Sequence, residues 1–208
     1  DLEAIVASNG QPSAGALMRL IETSLDREEG ISEDLAMLAG SYATELRESP
    51  AGQDMARSYV LALSAAGGFA QAFSELTRMR NAGPVPKDGT LSDLMEILVR
   101  NGSDPAFLNY SISADQADRF ALDDRVGNDV AVRLLALGFP DAAVRYVSPL
   151  ARGDLERSRK MLRAEIALQM QLPRQAELEL IGESGDDVVR LLARARGMSG
   201  EHSAAQDM

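Results

Sequence analysis

The sequence predicts an all-α fold, an array of antiparallel helix hairpins in the manner of an α-solenoid. Three observations carry this expectation. First, a small or polar residue is followed two places later by proline and five places later by a small residue. This occurs at Gly10, Pro12 and Gly15, at Gly138, Pro140 and Ala143, and at Gln171, Pro173 and Ala176. Gly67 and Ala72 keep the frame without the proline. A glycine or polar residue that ends one helix and a proline that starts the next are the punctuation of helix pairs. The small residue five places on is expected to face the partner helix at close range. Second, the chain is 45% apolar but only 4% aromatic, with no tryptophan, so its core is drawn from Leu, Ala, Val and Met. Third, runs of alternating β-branched residues, the mark of half-buried strands, are missing.

The elements follow in order. Leu2, Ile5 and Val6 suit a helix that stops at Asn9-Gly10. Pro12 and Ser13 open the next, with Leu17, Leu20, Ile21 and Leu25 on one face until Glu29-Gly30. Ser32, followed by Glu33 and Asp34, starts a third, because a capping hydroxyl and first-turn acids suit the positive helix end. Its apolar face carries Leu35, Leu38, Tyr42 and Leu46. Ser49-Pro50 is expected to start a helix holding Met55, Tyr59, Val60 and Leu63, and Phe69 starts the helix of Phe73, Leu76 and Met79. Gly83, Pro84, Pro86 and Gly89 make the stretch from Asn81 to Thr90 a linker between an N-terminal lobe, 1–82, and a C-terminal lobe, 90–208.

Thr90 with Asp93, and Ser113 with Gln116, have the spacing of capping boxes. Between them Leu91, Leu94, Met95 and Leu98 make a strongly apolar helix, and a short turn at Asp104-Pro105 holds Phe107, Leu108 and Tyr110. Gly127-Asn128 is expected to interrupt the helix of Ala117, Phe120 and Leu122. Three hairpins then follow: 129–137 with 140–147, 155–170 with 173–181, and 186–196 with a short helix from about Glu201. The turns at Gly138 and Gln171 are 33 residues apart, and Gly200 comes 29 later. Such periods mark helical repeat arrays.

The run from Leu134 to Ala143, Leu-Leu-Ala-Leu-Gly-Phe-Pro-Asp-Ala-Ala, resembles the middle of a tetratricopeptide repeat, with Gly138 at its turn and Ala143 at its fixed alanine. Leu168 through Ala176 repeats the frame with Gln171 in place of glycine, and Ala62 through Ala72 gives a third instance at Gly67 and Ala72. The resemblance is clearest in the last 80 or so residues. It implies a superhelix that holds peptides or partner domains on a concave face. No peptide-clamping basic pair of that family maps onto this chain, so the resemblance assigns no site residue.

Charge and composition exclude several function classes. A net charge of −11 repels phosphate backbones and anionic lipid surfaces, which argues against nucleic acid and favours a protein or peptide partner with a basic surface. No stretch approaches the length of apolar sequence that spans a bilayer. Cysteine is absent, which removes disulfides, thiol catalysis and thiolate metal sites. The one histidine, His202, lies close to the C-terminal end of the sequence, so zinc and most transition-metal sites lack ligands. The acids Asp115, Asp118, Asp123, Asp124 and Asp129, interleaved with Arg119 and Arg125, lack calcium-loop spacing and suit a solvated, partly self-paired face. Glycines stand singly at helix ends rather than in phosphate-cradling loops, and no serine has a nucleophile-elbow pattern. Neither an enzyme nor a cofactor is expected.

The expected role is therefore a non-catalytic scaffold for protein–protein contact. Tyr42, Tyr59, Tyr110, Phe139 and Tyr146 are its candidate contact residues, because aromatic rings combine large contact area with few rotamers. Arg145 and Arg152, close to Tyr146 in sequence, would meet acidic groups. The alternative is a helical domain of an envelope or sensory system that encloses a small molecule between lobes, and a third reading is the structural stalk of a longer protein. A start at Asp1 and the lack of cysteine lean towards an exported protein, and arginine in large excess over Lys87 and Lys160 suits a GC-rich bacterial genome.

Overall fold

A computed structural model describes residues 13–82, 89–147 and 156–200, the side chains of Ala82 and Phe120 aside. Every regular element among them is a helix. The chain divides between Phe107 and Leu108 into two compact units, and the division falls within helix α6.

The N-terminal unit holds α1 (Ala14–Asp26), α2 (Glu33–Glu45), α3 (Gly52–Ala65), α4 (Phe69–Ala82) and α5 (Thr90–Asn101), and α6 (Asp104–Ser113) begins in it. Helix α3 is its centre and packs against α1, α2, α4 and α5. The sequence explains why: Met55, Ala56, Val60, Leu61, Ala62, Leu63 and Ser64 are all buried, so α3 is apolar around most of its circumference. The Ser64 hydroxyl donates to the carbonyl of Leu61 at 2.8 Å and so enters the core satisfied. Leu17 and Ile21 of α1, Leu76 of α4, and Leu94 and Leu98 of α5 are buried in the same unit. Helix α2 offers only alanines to the core, Ala36, Ala39 and Ala43. Beside them a Cβ at Gly40 would lie 2.8 Å from the Tyr59 ring, so glycine is what lets that ring approach the helix so closely. Helix α5 packs on α3 and α4 and lies within the N-terminal unit.

The C-terminal unit holds α7 (Gln116–Phe120), α8 (Asp124–Ala136), α9 (Pro140–Ala143), α10 (Glu156–Gln169), α11 (Pro173–Glu179) and α12 (Asp186–Met198). Helix α10 packs against α8, α9, α11 and α12. Ala164, Ala167, Leu168, Ala176, Leu180, Val188, Leu191 and Ala195 form one buried cluster. Helix α10 also buries a charge that periodicity did not reveal: Arg159 is 2% exposed. Its Nε donates to Asn128 Oδ1 at 3.1 Å, and its Nη2 donates to the Asp124 carbonyl oxygen and carboxylate at 2.9 and 2.8 Å.

The corners repeat. The amides of Gly138 and Phe139 donate back to the carbonyls of Leu135 and Leu134 at 3.1 and 2.9 Å. Those of Gln171 and Leu172 reach Leu168 and Ala167 at 3.1 and 2.8 Å, and those of Gly67 and Gly68 reach Ser64 and Leu63 at 3.0 and 2.8 Å. The first residue of each corner has positive φ: 86° at Gly67, 85° at Gly138 and 61° at Gln171. Pro140 and Pro173 then take the first helical position, where Phe69 stands in the earlier corner. Ala72, Ala143 and Ala176 are each 0% exposed, as the motif requires. A further corner of this kind, unmarked by glycine, places Glu28 at φ 57° with Glu29 bonded back to Ser24.

Several local expectations are corrected. Helix α8 begins at Asp124 and runs through Gly127, where a Cβ would stand 3.1 Å from the Tyr146 carbonyl oxygen. The glycine serves close approach rather than interruption. Asp115, not Ser113, caps α7, accepting from the Asp118 amide at 2.8 Å. Ser113 instead bonds back to Asn109 within α6, a ten-residue helix where only a turn was expected. Gly89 precedes α5 with φ 91°, and Asp93 pairs with Arg57 rather than capping. Ser49-Pro50 falls in a turn before α3. Gly15 has open space around it and meets no partner helix. The expected helix before Gly10, most of the 83–89 linker, Arg152, His202 and the helix from Glu201 lie outside the described residues.

Candidate functional site

Each unit carries a groove on the face made by alternate helices. In the N-terminal unit a cleft of about 400 Å3 lies among α1, α3 and α5. Leu25, Leu61, Ala65 and Ile97 supply its apolar lining, and six carboxylates, Glu22, Asp26, Glu28, Glu29, Asp93 and Glu96, stand around them. Among the described residues two cations line the cleft, and both are engaged. Arg57 pairs with Asp93, while Arg100 reaches Glu28 at 3.0 Å and Glu96 at 2.9 Å. The carboxylates of Glu22, Asp26 and Glu29 are exposed and make no ion pair among the described residues. These acids cluster at the C-terminal end of α1, which the helix dipole already makes negative. Arg27, the C-cap residue, is the only cation in the run from Asp26 to Glu29.

In the C-terminal unit a shallower groove of about 520 Å3 is lined by Val132 of α8, by Arg157, Met161 and Glu165 of α10, and by Asp187 of α12. Val132 is 53% exposed there, a large apolar side chain with no cover. Arg157 is fastened across the groove wall, its Nη2 donating to Asp187 at 2.8 Å and to the Ser184 carbonyl at 2.9 Å. A third hollow, about 320 Å3, lies among α2, α3 and α4 in the N-terminal unit and includes Met37, Tyr59 and the Glu75–Arg78 pair.

Of the six contact residues chosen from the sequence, Tyr42 and Tyr59 lie in the N-terminal unit and Tyr110, Phe139, Arg145 and Tyr146 in the C-terminal unit. Tyr42, Tyr59 and Tyr110 are half-buried, Phe139 and Arg145 are exposed, and Tyr146 is buried. Tyr59 lines the third hollow; none of the six lines either groove formed by alternate helices. Tyr146 is a structural residue. Its hydroxyl donates to the Ser111 carbonyl at 2.5 Å, tying α6 to the segment after α9, and burial pushes its phenol up to about 12. The acidic stretch near residue 120 is partly spent on structure, with Asp115 capping α7, Asp124 holding Arg159, and Asp129 lying 3.8 Å from Arg125.

The cleft residues were missed because each acid, taken singly, looks like a solvated side chain. The available signal was electrostatic: Asp26, Glu28 and Glu29 crowd a helix C-terminus, where cations are favoured. Among the described residues no group of three or more histidine, cysteine, aspartate or glutamate side chains is placed to hold a metal ion, and no helix is long and apolar enough to cross a membrane. Comparison with protein-family models, with curated proteins and with solved structures finds no match for this chain.

Proposed function

We propose that this chain is a non-catalytic scaffold of successive helix pairs, similar to tetratricopeptide repeats, that holds a partner protein in the grooves of its alternate helices. The observation that carries the reading is the recurrence of one groove plan. In each unit three alternate helices, α1, α3 and α5 or α8, α10 and α12, line a groove rimmed by exposed side chains. Packing supports the same plan, since α3 touches both α1 and α5 and α10 touches both α8 and α12. The corner geometry shared at a 33-residue interval by Gly138 and Gln171 supports a repeating unit. A rimmed, open groove suits a polypeptide better than a small molecule, whose sites bury most of the ligand surface.

The test is affinity capture of the full chain from its native extract after chemical crosslinking, with mass-spectrometric readout. The expected result is a recurrent protein partner whose crosslinks map to groove residues such as Glu22, Glu29 or Glu165. A chain that carries a stoichiometric small molecule and recovers no protein would instead establish the ligand-binding alternative.

A further inference from the structure

We infer that the cleft of the N-terminal unit is the docking site for a partner-protein segment that presents arginine or lysine side chains beside apolar ones. The inference rests on the scaffold reading and deepens it by assigning the chemistry of the partner. Three independent features converge on it. The cleft has depth and an apolar lining, Leu25, Leu61, Ala65 and Ile97, so it offers burial as well as charge. Its carboxylates outnumber its cations six to two, and both cations are already neutralised inside the cleft by Asp93, Glu28 and Glu96. That leaves Glu22, Asp26 and Glu29 lining the cleft as negative charge with no ion-pair partner among the described residues.

The third feature is that this charge is placed against the interests of the fold. Helix α1 has no acid in its first turn, where acids stabilise, and carries Asp26 in its last turn with Glu28 and Glu29 just beyond the C-cap, where negative charge opposes the helix dipole. At the same corner Glu28 occupies a positive φ of 57° that glycine would adopt without strain. A surface selected only for stability would carry the reverse arrangement. The arrangement is resolved by a cationic group bound in the cleft, which meets the carboxylates at the negative end of the α1 dipole. Partly desolvated charge pairs of that kind bring specificity and rapid association.

The test is titration of the full chain with a dye-labelled amphipathic peptide of arginine and leucine, followed by fluorescence anisotropy. The matched peptide with glutamate in place of arginine serves as the control ligand. The triple substitution Glu22→Gln, Asp26→Asn, Glu29→Gln is expected to weaken binding by about tenfold or more, while melting at a temperature no lower than the parent. The substitutions Glu33→Gln, Glu45→Gln, Glu48→Gln remove the same charge from exposed positions of the same unit outside the cleft, and are expected to weaken binding by less than about twofold. Equal losses in the two triples would show attraction to net charge alone and overturn the inference, as would binding indifferent to both. If the arginine peptide does not bind while crosslinking still recovers a partner, the cleft assignment fails and the scaffold reading stands. Absence of both results removes the two together.

Discussion

Gln171 occupies a left-handed backbone conformation, φ 61°, at a corner where Gly138 and Gly67 occupy the same position without penalty. A side chain there costs roughly 1 kcal/mol relative to glycine. Gln171→Gly is therefore expected to stabilise the chain by about that amount, and Gly138→Ala to destabilise it similarly, both read by chemical denaturation. Arg159 supports a second expectation. The guanidinium is buried, whereas its partner Asp124 is 62% exposed, so removing the cation returns the carboxylate to water instead of stranding it. Nη1 of Arg159 is also enclosed and has no protein acceptor among the described residues. Arg159→Met keeps most of the stem and is expected to cost about 1 kcal/mol or less, whereas Arg159→Ala opens a cavity and is expected to cost about 2–4 kcal/mol. Thermal melts of the two variants side by side distinguish the packing of the stem from the charge.

At the scale of the element, what ties the short helices is side-chain to backbone bonding rather than helix propensity. α9 spans only Pro140–Ala143, too short to be stable alone, and Tyr146 anchors the segment after it to α6 through the Ser111 carbonyl. The phenol is raised by burial to about 12, above its unfolded value of about 10, so the folded state favours the protonated form. Its contribution is complete below pH about 10 and declines as pH rises from about 10 through 12. Tyr146→Phe is expected to cost about 1 kcal/mol at neutral pH and to flatten the alkaline decline, measured as denaturation midpoints along a pH series. The corners themselves were legible before any coordinates, because glycine and proline act locally and the sequence states them directly. Ser32, Ser13, Pro140 and Pro173 sit where the sequence places them, capping or opening α2, α1, α9 and α11. Gly127 was misread because a glycine that ends a helix and one that admits a neighbouring carbonyl look alike in sequence. Ser113 lost its capping role to Asp115, two residues on, because Ser113 is still the last residue of α6 and its hydroxyl bonds back to the Asn109 carbonyl. The cleft was illegible for a related reason: Glu22 and Glu96 are separated by a span of chain that only folding closes.

At the scale of the whole molecule, a net charge of −11 on 208 residues means that like charges repel across much of the surface. Raising ionic strength from about 10 mM to about 500 mM shortens the screening length from about 30 Å to below 10 Å. It is expected to raise the melting temperature by a few degrees while weakening capture of a basic peptide, opposite responses that calorimetry and anisotropy read on the same sample. The paired corners also bear on how such a chain changes length. Phe139 and Leu172 have the same backbone dihedrals, φ −113° with ψ 61° and 65°, and each is followed by proline at the first helical position. A crossover that joins Gly138 to Leu172 deletes one block of 33 residues and still leaves a hydrogen-bonded turn at the junction. The reciprocal event inserts a block in the same way. These two junctions are thus natural splice points, at which unequal recombination can shorten or extend the molecule without composing a new turn.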